Sequence, residues 1–579
     1  MPEFKNPQQE SGNERQLLLV FVLTFVVMIL FQPFYKKYFP SPPTPSLTPP
    51  PQSTPSAPAS NPEPSRPAGA TKTEVKQAQS ESSLVVENDV YRITFSSRGA
   101  QVRSWVLKKY NNDNHQPLDL VNAGAAEKFG YPLSLFTYDE NLRNRINSAL
   151  FVSSATGTLR APGSVNFEYS DGSLSVRKTF SFDSTYLIKV ETSVFLDDKH
   201  VTAFPGWPAG FGDEANPAGY AAARVEFQNG GNIERIAAKK ISGGNTIRGP
   251  FAWGAVGDQY FAAVFLPENQ QQAALVTFHN SLDLPKDPKN PNSQETTRVD
   301  VIGAAGGSLN SATGQRMYVG PRSLDVLEST SVPNIVGAPQ DLRGLVNFGF
   351  FNLIARPLFL WLKWTYKYLH NWGWAIVIQT LIISILLLPL RISSMKSALK
   401  MQKVQPQMNA IKEKYKKYSM RDPRKQDMNQ EIAELMKREG VSPAGGCLPL
   451  IIQMPFLFAY YSMLNAAIEL RHAHWLWISD LSSRDPYFVL PTLMVVSMIG
   501  AQRMTPQAGM DPQQQKMMNV MMPLTMGFIF YNLAAGLNLY YSLSNLVSTV
   551  QQVVMNRTKL GREMRELAAK RARKKDKDK

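Results

Sequence analysis

Five polar side chains in an otherwise apolar stretch near the C-terminus, Asn538, Ser542, Asn545, Thr549 and Gln552, recur at i, i+4, i+7, i+11 and i+14. On an α-helix that spacing draws one line of amides and hydroxyls down a single face. Such groups do not break covalent bonds unaided; their chemistry is solvation. They can hold water, a polar solute, or the backbone of a neighbouring helix. In lipid, polar groups at depth need water or partners. Singly they often serve as glue between spans, at about 0.6 kcal/mol each, but five in register suggest a hydrated face. A second apolar segment, Trp374–Leu390, carries Thr380 and Ser384 on one face, joined by Arg391 if the helix continues past Pro389. Gln453 and Thr525 add polar groups to two further apolar segments.

Covalent chemistry has no comparable signature. The chain contains no Gly-x-Ser-x-Gly, no His-Glu-x-x-His and no Gly-x-x-x-x-Gly-Lys. His472 and His474 flank an alanine with no carboxylate-rich spacing around them, and read as loop residues rather than metal ligands. Cys447 is the single cysteine, which excludes an intrachain disulfide and a thiolate cluster. Its setting, "SPAGGCLPL", offers no neighbouring base and suits close packing at a helix start. No catalytic residue, metal or cofactor is expected.

The elements that position the polar line divide the 579 residues unevenly. Mean hydropathy is −0.23, an average over a mostly polar first part and an apolar last part. The formal charge is +16, and its excess lies beside the apolar segments. Residues 1–35 read as an uncleaved signal anchor, because "LLLVFVLTFVVMILF" is followed by "QPFYKKYFP" and not by a small-residue cleavage site. Residues 36–83 form a Pro/Ser/Thr-rich linker unable to bury a core. Residues 84–340 alternate apolar and polar in short runs such as "VYRITFSS", "SLSVRKTFSF" and "TYLIKVETSVFL", the pattern of an antiparallel β-sandwich. Residues 341–373 combine apolar positions with Lys363, Lys367 and dense Trp/Tyr, which suits an amphipathic helix in the membrane interface.

Residues 374–555 hold five expected spans: Trp374–Leu390, Cys447–Leu464, Tyr487–Gln502, Met517–Asn532 and Ala534–Met555. With the anchor they make six transmembrane helices. Between the first two lies a cytoplasmic helical hairpin, 392–440. Its apolar seam is Met401, Val404, Met408, Ile411, Tyr415 and Tyr418, answered by Met428, Ile432 and Leu435. Residues 391–439 carry about 13 Lys/Arg against about 6 Asp/Glu, and the tail 556–579 about 11 against about 4. The positive-inside rule puts both in the cytoplasm, and six spans then put the N-terminus there and the sandwich outside.

The order of "NWGWAIVIQT…LPLRISSMKSALKMQKVQPQM", "VSPAGGCLPLIIQMPFLFAYYSML", "DPQQQKMMNVMMP" and "GLNLYYSLSNLVSTVQQ" resembles the YidC family of bacterial membrane protein insertases. "YRITFSSRGAQV" and "GDQYFAAVFLP" resemble its Gram-negative periplasmic domain. The resemblance implies a polytopic α-helical membrane protein with a five-helix insertase core and a periplasmic β-sandwich. It implies a hydrophilic groove open to cytoplasm and lipid, through which nascent membrane proteins enter the inner membrane, alone or with the Sec translocon. The groove residues so implied include Thr380 and Tyr541, alongside Ser384, Arg391, Asn538, Ser542 and Asn545. A hydrophobic slide falls on Met454, Pro455 and Leu457 and on Phe528 and Ile529. The family's groove arginine, five residues before the proline, is replaced here by Ser384, and Arg391 is its expected partial substitute. The basic hairpin and tail suit ribosomal RNA, and membrane lipids complete the expected partners. A secondary transporter using the polar groove is the alternative, which an inverted repeat would favour. A sugar-active enzyme on the sandwich is a third reading, resting on fold analogy.

Overall fold

The computed structural model describes residues 75–213, 217–285, 295–309, 312–332, 341–418, 422–441, 448–504, 517–559, 561–563 and 566. The expected anchor, most of the Pro-rich linker, Cys447 and the end of the basic tail lie outside the described residues.

Strands run from Ser83 to Pro321. The alternating runs become Tyr91–Ser96, Leu174–Phe182 and Leu187–Leu196, which turn alternate side chains such as Val176 and Phe180, or Ile188 and Val190, into the core. Among the described residues the strands make one ten-stranded and two five-stranded sheets. Their ladders are antiparallel except that Ser83–Glu87 runs parallel to Gly157–Arg160. The long hairpin of Ala273–Pro285 and Thr296–Ser308 packs across the ten-stranded sheet. A Cβ on Gly306 would lie 2.7 Å from Phe265, and one on Gly254 2.9 Å from Leu275, so hydrogen at both positions lets the layers close. Trp105, Trp207 and Trp253 are fully buried in the core. This is a β-sandwich with a shared core.

Two buried polar clusters are tied into it, one around Glu226 and one around Lys178. Glu226 is fully buried and accepts from Arg322 at 2.7 Å, Arg224 at 2.9 Å and Arg235 at 3.0 Å. Arg322 also donates to the Leu345 carbonyl, tying the sheet to the segment that leaves the sandwich. Lys178 is fully buried and donates to the carbonyls of Gly99, Ala100 and Leu133 at 2.7–2.9 Å, so all three ammonium protons are used.

Beyond the sandwich the chain is helical: α1 (Asn352–Leu369), α2 (Trp372–Leu386), α3 (Leu388–Lys414), α4 (Arg424–Arg438), α5 (Leu448–Ala466), α6 (Val489–Met504), α7 (Met522–Tyr531, after a π turn at Met517–Met521) and α8 (Ala535–Arg557). Helix α1 buries Ala355, Leu358, Phe359 and Leu362 but exposes Leu353, Leu360, Trp364 and Tyr368, so it is apolar on two faces. Its Lys363 pairs with Asp325, and Arg356 lies 3.6 Å from Glu328. The continuation past Pro389 does not occur as a straight helix. The chain breaks at Leu387 and α3 leaves α2 at 45°, because Pro389 has no N–H and its ring crowds the Ile385 carbonyl. Arg391 therefore belongs to α3. No single described helix is long and apolar enough to cross a membrane, whereas the bent pair α2–α3 meets that criterion together.

The part of the hairpin from Val404 to Val441 forms a compact unit of its own. Val404, Met408, Ile432 and Leu435 are buried, while Ile411, Tyr415, Tyr418 and Met428 are half-buried. Helix α3 stops at Lys414, short of Tyr415 and Tyr418, and Lys414 pairs with Glu431 at 3.3 Å.

The loop between α5 and α6 docks on the sandwich. Arg471 donates to the Asn111 carbonyl at 3.0 Å and lies over the rings of Tyr260 and Phe261. His472 Nε2 is 3.3 Å from Asp113, Gln259 donates to the Asn465 carbonyl, and Ser323 donates to Glu469.

Candidate functional site

Helix α8 is the hub of the helical unit, and its polar residues sort onto three faces. Asn538, Ser542 and Thr549 turn toward α6 and α7. Asn538 Nδ2 donates to the carbonyls of Phe530 and Leu533, both at 3.0 Å. Ser542 donates to Leu490 at 2.9 Å, and Thr549 approaches the Ser497 carbonyl at 3.4 Å. Asn538 and Ser542 are buried. These three positions of the line act as helix-to-helix ties.

Tyr540, Ser544 and Gln551 look the other way, toward α2 and α5. Gln551 Nε2 donates to the Ser384 carbonyl at 3.1 Å, Gln453 donates to Ser544 at 3.4 Å, and Tyr540 stacks on Tyr460 with centroids 3.8 Å apart. Here Thr380 and Ser384 lie, both buried, with the Thr380 hydroxyl donating to the Ile376 carbonyl.

Between these flanks, Tyr541, Asn545, Ser548 and Gln552 recur at i, i+4, i+7 and i+11 and are all half-buried. Asn545 Nδ2 and Gln551 Oε1 are buried with no hydrogen-bond partner among the described residues. A buried amide left in that state costs about 1–3 kcal/mol, so both groups suit a polar occupant. Arg391 is half-buried, with no carboxylate in its surroundings among the described residues; the Tyr540 phenol is within its electrostatic reach. A long side chain on a helix leans toward the N-terminus. That lean recovers part of the roughly 10 Å, at 1.5 Å per residue, that separates positions 384 and 391.

Packing runs in the order α5–α1–α2–α8–α6–α7, with α8 also touching α5. Helices α5 and α7 share no extensive contact among their described residues. On α7, Phe528 is 77% and Ile529 46% exposed, beside exposed Leu524 and Thr525. On α5, Met454, Pro455 and Leu457 are half-buried. Sequence reasoning passed over Gln379, Tyr460, Tyr540, Ser544 and Gln551. A lone amide within "WAIVIQTLII" was the available signal for Gln379.

Comparison with known proteins identifies the family of the chain. The 60Kd inner membrane protein family model matches residues 364–562, and the YidC periplasmic domain model matches residues 83–361. The membrane protein insertase YidC of Geotalea uraniireducens is 33% identical over 493 residues, covering 82% of this chain and 87% of the relative. That of Syntrophus aciditrophicus is 30% identical over 573 residues, covering 94% and 99%. Among solved structures, an active YidC insertase with its first transmembrane domain resolved matches 84% of this chain and 94% of its own, at 18% identity and a TM-score of 0.33. The chain belongs to the YidC family of bacterial inner-membrane protein insertases.

Proposed function

We propose that this chain inserts and helps fold nascent membrane proteins through a hydrated groove bounded by α2, α5, α6, α7 and α8. The observation that carries the reading is unmet polarity inside an apolar bundle: Asn545 and Gln551 each hold an atom without a partner among the described residues, and Arg391 is half-buried with no carboxylate beside it. Placing a charged residue at the bilayer centre costs about 2.5–3.5 kcal/mol. A wet face that accepts the client's polar segment removes much of that cost without nucleotide or metal. Burial of the client's apolar helix then drives the direction of transfer.

In this reading the bundle supplies five spans and the anchor a sixth, with both termini and the hairpin 392–440 in the cytoplasm. Residues 36–373 are periplasmic or lie at that interface. Thr380, Ser384, Arg391, Tyr541 and Asn545 line or border the groove, while Asn538 and Ser542 hold its wall. Met454, Pro455 and Leu457 on one side, and Phe528 and Ile529 on the other, guide the client's apolar helix into lipid. The basic hairpin and tail dock ribosomes, and the Sec translocon is a further partner. The test is depletion of the protein, followed by protease protection of small membrane proteins with short translocated tails. Depletion is expected to leave those tails on the cytoplasmic side; normal insertion would sink the proposal.

A further inference from the structure

Residues 473–479 of the α5–α6 loop hold no Asp, Glu, Lys or Arg, although Arg471 and Asp480 stand close on either side. Trp475 and Ile478 exchange both backbone hydrogen bonds, at 2.8 and 2.9 Å, and close a two-residue turn around Leu476 and Trp477. Leu476 has a φ of 50°, on the left-handed side. Glycine or asparagine ordinarily takes that first turn position. Leu476 is nevertheless 52% exposed and Trp477 37% exposed, while Trp475 and Ile478 at the base are buried. The turn buries its base and holds an apolar tip outward. Packing among the described residues gives no reason for a leucine on that backbone.

Contacts fix the level of the turn. The Trp475 ring fills the space beside Gly373, where a Cβ would lie 2.1 Å from it, and packs edge-on against exposed Trp374. Asn371, which caps the start of α2, donates to the His474 carbonyl at 3.1 Å. On the other flank buried Asp485 accepts from the Trp477 indole at 3.1 Å. It also accepts from the backbone N–H of Leu490, in the first turn of α6, at 2.7 Å. The turn therefore stands level with the first turns of α2 and α6. Trp374, Trp475 and Trp477 follow one another with ring centroids 5.8 Å apart. Tryptophans gather at headgroup level, where an amphipathic ring meets both water and hydrocarbon. An uncharged apolar tip at that level matches the boundary between headgroups and acyl chains.

We propose that the turn 475–478 is a membrane wedge: Leu476 enters the acyl boundary of the leaflet on the sandwich side, with Trp477 and Trp374 among its headgroups. The same loop carries Arg471 and His472, which meet the sandwich at Asn111 and Asp113. Lipid around Leu476 thereby sets the height at which the sandwich is held over the bundle. The inference rests on the reading of α2 and α6 as spans and adds a lipid contact made by a loop.

The test uses the full chain in sealed vesicles of phosphatidylethanolamine and phosphatidylglycerol, sandwich outward, in a Cys447→Ser background. Leu476→Cys is compared with Asn232→Cys on the sandwich and Ile382→Cys on α2, all at positions exposed in the protein. A charged, membrane-impermeant maleimide should react at least about tenfold more slowly with Leu476→Cys than with Asn232→Cys. Labelled instead with a fluorophore, Leu476→Cys should be quenched more by phosphatidylcholine carrying a nitroxide near the headgroup than by one carrying it near the chain end. Ile382→Cys should react as slowly, with the opposite order of quenching. Equal rates for Leu476→Cys and Asn232→Cys, with Ile382→Cys still slow, would overturn the wedge. Slow reaction without quenching would mean that a protein surface covers the turn, and would overturn lipid as its partner. Fast reaction of Ile382→Cys overturns the span reading, and the wedge with it.

Discussion

Replacing Glu226 with glutamine isolates what the buried charge cluster contributes to the sandwich. The carboxylate is fully buried, and Arg322, itself 2% exposed, bonds it at 2.7 Å. Glutamine keeps the shape and removes the charge, leaving Arg322 buried without a counter-ion while Arg224 and Arg235 stay close by. Breaking a buried pair in this way costs about 3–5 kcal/mol. For a domain of 150–250 residues each kcal/mol moves Tm by about 2–4 °C, so a drop of roughly 6–20 °C is expected. The assay is a tryptophan-fluorescence melt of the full chain in mild detergent. Trp253, whose indole donates to Gln228 two residues from Glu226, is a local reporter. The sign of the pH dependence is also fixed. Burial alone would raise the Glu226 carboxyl, but Arg322, then Arg224 and Arg235, more than offset it and hold it below the ordinary range. The stabilisation is therefore complete above the unfolded value of about 4.3 and is lost as pH falls through the lower folded value. Wild type and variant should converge in acid. A drop below about 2 °C at pH 7 would refute the assignment of the cluster as a brace, and parallel curves down to pH 2 would refute its electrostatic origin.

Three further outcomes follow from the geometry. Arg391→Ala should slow insertion of clients with acidic translocated tails about 30-fold, since a cation about 8 Å away at an effective dielectric near 20 contributes about 2 kcal/mol; neutral tails should change less than about twofold, and equal loss for both would count against a field effect. Phe528→Asp puts a charge on the most exposed apolar position of α7 and should cut crosslinking of the client's apolar helix to α7 about tenfold while the sandwich melts normally. Burial pushes the Lys178 ammonium down to about 7. Because the unfolded chain then holds more protons than the folded one from about pH 7 to about pH 10.4, sandwich stability should rise across that window; Lys178→Met should lose the slope, as melts at pH 7 and pH 9 would show.

The sandwich was legible because half-buried strands carry their own record: Val176, Phe180, Ile188 and Val190 alternate with outward residues, and each becomes part of a strand. At helical period the same record covers Val404, Met408, Ile432 and Leu435 of the hairpin seam, which are buried, but not Tyr415 and Tyr418, which lie beyond the end of α3. The polar line expected on α8 divides between two adjoining faces, and its direction was not written in the spacing. Period locates a face and is silent about which neighbour that face meets. Asn538 and Ser542 meet backbone carbonyls of α7 and α6, and half-buried Tyr541 and Ser548 lie on the adjoining face. Gln379 and Tyr460 escaped because each is a single polar group among apolar ones, and only the fold brings two such singletons together. The Arg471 dock was invisible for another reason: its partners Asn111, Tyr260 and Phe261 are distant in sequence and mostly main chain or aromatic.

Because α8 is pinned through different faces to four other helices, it cannot roll about its own axis without surrendering bonds on every side at once. It is the mast of this assembly rather than one of its sails. Any widening that admits a bulky passenger must come from the helix moored by fewest polar lines, α7, which α8 holds through the bond from Asn538 to the Phe530 carbonyl and which stands at one end of the packing order. A cross-link between α8 and α2 should therefore be tolerated during turnover, whereas one that tethers α5 to α7 should arrest it.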